Sequence, residues 1–110
     1  MATNTRVYKI LRHSEYDTLV DFGRFAGSSH DERDGYIHLS YETQVNDVLA
    51  RFFEGEDVVI VSFHERDLAE IRVEDGFPHL YGSALLASTI QSTERRRWNA
   101  EGGVHELNLE

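Results

Sequence analysis

The chain of 110 residues has no cysteine, a single proline (Pro78) and a single methionine (Met1). Without cysteine there is no disulfide framework, no thiolate metal ligand and no thiol nucleophile. Basic residues are also scarce: 11 Lys and Arg against 20 Asp and Glu give a formal charge of −9. That balance excludes bulk nucleic-acid binding, which needs clustered cations against phosphates, yet leaves room for one anion in a small basic pocket. Long apolar runs are missing as well. Nothing approaches the roughly 18 residues of a membrane span, and the first residues lack a signal peptide's apolar stretch. The expectation is a cytoplasmic protein with no membrane partner.

Hydrophobic residues make up 40% of the chain and aromatic residues 11%, enough for a core without covalent staples. No repeat, linker or low-complexity stretch interrupts it, so residues 1–110 read as a single domain. Thr5–Leu11 reads as a strand, rich in β-branched and aromatic residues. Ser14 is then a candidate helix cap, with Tyr16, Leu19, Val20 and Phe22 as one helical face and Gly23 as the stop. The polar run 27–35, GSSHDERDG, predicts a surface loop.

Tyr36–Ser40 predicts a strand with Ile37 and Leu39 toward the core and Tyr36, His38 and Ser40 together on the other face. Ser40 is a candidate cap for a second helix, whose apolar face is Val45, Val48, Leu49, Phe52 and Phe53, with Gly55 as its stop. Val58–Phe63 reads as a central strand covered on both faces. One helical turn over 65–70 and a short strand, Ile71–Glu74, follow. Asp75-Gly76 interrupts that strand before an extended Phe77–Gly82 that puts His79 and Tyr81 on one face. Leu85–Trp98 alternates as a strand, Asn99–Gly103 as a turn and Val104–Leu109 as a last strand. The fold class is α+β, with two main helices and about six strands.

Six histidines stand at 13, 30, 38, 64, 79 and 105. None forms an HExxH or a His-x-His pair, so no metal site is expected unless distant residues assemble one. There is no phosphate-binding glycine loop either. His38 and His79 stand out because each sits in a strand-like segment with a hydroxyl residue two positions away: Tyr36 and Ser40 for the first, Tyr81 for the second. Adjoining strands would gather two imidazoles and three hydroxyls, a set able to shuttle protons near neutral pH. Glu74, beside the Phe77–Gly82 segment, is the carboxylate nearest that set. Lys9 lies inside a strand, where it needs solvent or an anion. Arg95-Arg96-Arg97 reads as a solvated strand face able to dock an acidic partner.

The segments RVYKIL, GRFAGS, DGYIHLS with Gln44 after it, and FPHLYG together resemble the bacterial domain-of-unknown-function family numbered 952, over about Arg6 to Ser92. That resemblance implies a fold similar to the ADP-ribosyltransferases, two packed β-sheets around a cleft for a nicotinamide nucleotide. In that superfamily the first core strand supplies an Arg or His to the nucleotide. The second supplies Ser-x-Ser or Tyr. A later strand supplies a Glu that bonds the ribose as positive charge forms at C1′. Carried over, the first position is Tyr8-Lys9, a departure from Arg or His, and a lysine holds phosphate only as a point charge. His38-x-Ser40 partly mimics Ser-x-Ser, and Glu74 stands for the Glu.

Three readings follow. As an enzyme, the chain would be a transferase acting on a nucleotide, with His38, His79 and Glu74 catalytic. Lys9, Tyr36, Ser40, Gln44 and Tyr81 would then bind the ligand, and NAD would be the candidate cofactor. As a binding module, the same pocket would hold a small nucleotide or anion without turnover. As a protein-interaction domain, the motifs would only shape the fold.

Overall fold

The computed structural model describes residues 5–108. The chain begins with β1 (Arg6–Arg12), α1 (His13–Phe22), β2 (Arg24–Phe25), α2 (Ser29–Asp34) and β3 (Ile37–His38). A single 3-10 turn, Glu42–Gln44, leads into α3 (Val45–Phe52) and the long β4 (Val58–His64). Next come β5 (Ile71–Glu74), β6 (Phe77–Leu80), β7 (Leu85–Leu86), β8 (Ile90–Asn99) and β9 (Val104–Asn108). The final expected strand residue, Leu109, lies outside the described residues.

All pairings are antiparallel and make an α+β fold. The largest sheet has the order β1-β4-β8-β9, a second has the order β3-β6-β5, and β2 pairs with β7 alone. Two larger sheets and two longer helices are as expected; the β2–β7 pair and α2 add to them. β4 is central because its six residues from Val58 to Phe63 are all buried. Alternation then sorts its neighbours. Val59, Val61 and Phe63 join Val7 and Leu11 of β1 in a core shared with Leu19, Phe25, Ile37, Leu39, Leu80 and Leu85. The opposite face, with Ile10, Val58 and Ile60, packs against Val45 and Leu49 of α3. Burying side chains of this size contributes roughly 1.5–3 kcal/mol each before entropy is subtracted.

Several local expectations are corrected. The 27–35 segment is not a loop throughout: Ser28 Oγ accepts from the Asp31 amide, and the Ser28 amide donates to Asp31 Oδ2 at 2.9 Å, a capping box that starts α2. α1 begins one residue before Ser14, and the Arg12 amide donates to Glu15 Oε1. Of its predicted face only Leu19 is fully buried, while Val20 and Phe22 are exposed. Phe52, the last residue of α3, is exposed as well.

Ser40 does not cap α3. Its backbone instead forms a two-way bridge with Tyr8, with hydrogen bonds of 2.8 and 2.9 Å that tie the three-stranded sheet to β1. Asp75 and Gly76 join β5 to β6 as a two-residue hairpin turn with φ of 53° and 82°. Such a turn needs left-handed backbone at both positions, which Asp tolerates and Gly favours. Among the described residues no helix is long and apolar enough to cross a membrane.

Candidate functional site

The three-stranded sheet sets the site. Its register pairs His38 of β3 with His79 of β6, and His79 with Arg72 of β5, so one row crosses the sheet as His38, His79, Arg72. The condition posed by the sequence is met: the two histidine strands adjoin. Tyr36 lies across the row, its ring centroid 3.9 Å from that of His79 and nearly parallel to it. The Tyr36 ring is also 4.6 Å from His38 and 5.2 Å from Tyr81, and the two imidazoles are 5.7 Å apart. Arg72 caps the far end, its guanidinium 4.4 Å from the Tyr81 ring centre.

Each imidazole is held by its own carboxylate. His38 Nδ1 lies 2.6 Å from Asp31 Oδ1, and His38 Nε2 lies 2.9 Å from Asp34 Oδ2. His79 Nδ1 lies 2.7 Å from Glu74 Oε1, an oxygen that also accepts from the Tyr81 hydroxyl at 2.5 Å. The Tyr81 and His79 hydrogen bonds hold the Glu74 carboxyl below the usual range, and the same Glu74 bond pushes the Tyr81 hydroxyl up to about 12. Glu74 is therefore ionised and accepts from both neighbours. Its Oε2 accepts nothing from the described residues.

Asp31 is the buried centre of the other half, with 2% of its surface exposed. Burial pushes its pKa up. The Lys9 charge, the His38 imidazole and the amides of Ser28 and His38 outweigh that and bring it down to about 2. Lys9 is 7% exposed and occupies the core side of β1 with Val7 and Leu11. Its ammonium donates to Asp31 Oδ2 at 2.9 Å, to Asp31 Oδ1 at 3.2 Å and to the His38 carbonyl at 3.0 Å. The anion that Lys9 requires is thus one of the chain's own carboxylates.

Carboxylates dominate around the Tyr36 hydroxyl, with Arg72 opposing them at Tyr81. Burial raises the Tyr36 hydroxyl pKa first, and Asp34, Glu74, Asp75 and Asp31 raise it further. A cation or a centre that becomes positive is favoured there over a bare anion.

Of the residues singled out in the sequence, Tyr36, His38, Glu74, His79 and Tyr81 converge. Ser40 supplies backbone to the sheet bridge. Gln44 is engaged at both ends: Oε1 accepts from the Tyr41 amide and Nε2 donates to the Gly76 carbonyl, each at 2.8 Å. It clamps the β5–β6 turn that carries Glu74. The residues that sequence reasoning passed over are Asp31, Asp34 and His30. Their signals were the Ser28-x-x-Asp31 box and a recurrence of ligand types every fourth residue at 30, 34 and 38. No HExxH or His-x-His spacing marks them, yet the fold brings donor atoms of His30, Asp34 and His38 within 4.8 Å of one another.

Comparison with known proteins gives a consistent picture. The crystal structure of protein CC0527 from Caulobacter crescentus superposes with a TM-score of 0.82 at 35% identity, covering 93% of this chain and 94% of that one. A double mutant of CC0527 gives 0.81 at 34% identity over the same shares, 93% and 94%. The solution structure of CC0527 gives 0.74 at 33% identity over 90% of each chain. A search of curated proteins finds no match. The family model described as a protein of unknown function (DUF952) matches residues 10–93, which spans β3, the β5–β6 hairpin and every residue of the aromatic row, and the chain belongs to that family.

Proposed function

We propose that the chain is an ADP-ribosyltransferase-like protein of the bacterial cytoplasm whose aromatic row takes the nicotinamide–ribose end of a NAD-like nucleotide. The observation that carries this reading is the Tyr36–His79 stack, set beside an ionised Glu74 in a field of four carboxylates. A flat, positively charged ring extends that stack and gains from both the aromatic faces and the field. Glu74 Oε2 is open to a ribose hydroxyl. As the bond from C1′ to the pyridinium nitrogen breaks, its electron pair leaves with nicotinamide and positive charge grows on the ribose. Glu74 stabilises that charge. An incoming hydroxyl then bonds C1′ and gives its proton to His79 Nε2, because Nδ1 is spent on Glu74.

His38, fixed between Asp31 and Asp34, closes the wall of the row. Lys9 takes no part in holding phosphate, because its ammonium is spent on Asp31. Arg72, at the open end and 55% exposed, is the cation nearest the row; its Nε and Nη2 are paired with Glu70 Oε2 at the surface, so a phosphate there has to displace or share that carboxylate.

The test is nicotinamide release from NAD by the purified protein. Release that is lost in Glu74→Gln and His79→Ala, with both variants folded, supports the reading. Equal release by Glu74→Gln would remove it. Saturable binding without release selects the module that binds and does not turn over.

A further inference from the structure

His30, Asp34 and His38 recur every four residues, from α2 across Gly35 into β3. On α2 that spacing puts His30 and Asp34 one turn apart on one face. Gly35, at φ 85°, ends the helix, and β3 brings His38 alongside. His38 Nε2 is 2.9 Å from Asp34 Oδ2, and His30 Nε2 is 3.5 Å from the same oxygen. Ligands about 2.1 Å from a zinc-type ion stand roughly 3.0–3.4 Å apart. The 2.9 and 3.5 Å edges lie about 0.1 Å outside either end of that range, so small side-chain shifts bring two edges of the triangle to coordination dimensions.

The chemistry of His38 points the same way. Asp31, buried and paired with Lys9, accepts hydrogen bonds only, so His38 Nδ1 carries a hydrogen. That leaves Nε2 to face an Asp34 carboxylate oxygen. Two lone pairs at that distance repel, and a cation between them, a proton or a metal ion, removes the repulsion. A carboxylate behind a ligating imidazole is also the arrangement that fixes the tautomer a metal needs.

Arg33 is the competitor. Its Nη2 lies 2.7 Å from His30 Nδ1, and its Nε lies 3.2 Å from Asp34 Oδ1. With Arg33 in place His30 Nδ1 accepts and Nε2 holds the hydrogen, so metal binding needs the other tautomer and the release of Arg33. The Arg33 side chain is 68% exposed and has solvent to swing into. Two imidazoles and a carboxylate, with no thiolate, suit a zinc-class divalent ion that completes its shell with water or a ligand atom.

We propose that His30, Asp34 and His38 bind one divalent transition-metal ion of the zinc class, with Asp31 orienting His38 and Arg33 competing for His30 and Asp34. This goes beyond the nucleotide reading and does not depend on it; the test reads metal, so the two fail separately. The full chain, freed of metal, is titrated with zinc(II) by calorimetry and with cobalt(II) by visible absorption. The expected result is one ion per chain, lost in His30→Ala with the circular dichroism unchanged, kept in His13→Gln and tightened in Arg33→Gln. Absence of saturable zinc binding to the wild type overturns the proposal. Wild-type affinity in both His30→Ala and Asp34→Asn overturns it equally.

Discussion

His38 stands directly opposite His79 in the pairing of β3 with β6, yet the two imidazoles hang from carboxylates of opposite character. Asp31, behind His38, is buried and bound to Lys9, whereas Glu74, behind His79, is at the surface with its side chain 43% exposed. The carboxylates thus differ in depth, and the rings run the other way: the His79 side chain is 9% exposed and that of His38 29%. The predictions separate the two carboxylates.

Removing one partner of the buried pair leaves an uncompensated charge. Lys9→Met is expected to destabilise the fold by about 3–5 kcal/mol. Adding Asp31→Asn to it should cost less than the two single losses summed, because neither charge is then left alone. Urea unfolding of the four chains measures both effects.

Asp31 also sets an acid limit. Its folded pKa of about 2 lies below the model-compound value of 3.8, so its contribution is complete above 3.8 and fades as pH falls through 2. The contribution is on the order of 2 kcal/mol. Unfolding free energies between pH 6 and pH 2 should show this fall, and Asp31→Asn should flatten it.

Gln44 ties the start of α3 to the β5–β6 turn, so its role is positional. Gln44→Ala should lower stability by about 1–2 kcal/mol, the scale of one or two lost hydrogen bonds. The Kd for a nucleotide should change little. A large loss of affinity with unchanged stability would instead make Gln44 a direct ligand contact.

Tyr81 holds the Glu74 pKa below its ordinary value through the larger of the two hydrogen bonds to it. In Tyr81→Phe the Glu74 carboxyl should titrate higher, nearer an ordinary glutamate. Carbon-detected NMR of the side chain reads this directly. An unmoved titration would show that His79 alone sets the charge.

Much of this arrangement was legible in the sequence, for identifiable reasons. Period-2 alternation in Tyr36–Ser40 placed Ile37 and Leu39 inward, and both are buried. The continuous apolar run of β4 marked the central strand. Other parts could not be read. A six-residue helix made wholly of polar residues has no apolar period, so α2 looks like a loop. Asp31 looks like any other surface acid until the fold buries it. Lys9 is instructive. Its place inside a strand called for solvent or an anion, but which one could not be read, because a contact 22 residues away in sequence is invisible to any local pattern. Phe22 and Phe52 carry helical periodicity yet are exposed, each as the last residue of its helix.

The most direct test of the central claim is a titration of the isotope-labelled protein with nicotinamide mononucleotide and, separately, with AMP, followed at the backbone amides. The account predicts saturable shifts at Tyr36, Glu74, His79 and Tyr81 with the nicotinamide nucleotide, much weaker shifts with AMP, and loss of the first response in Glu74→Gln. Shifts of equal size with AMP, or none at these four residues with either ligand, would contradict it.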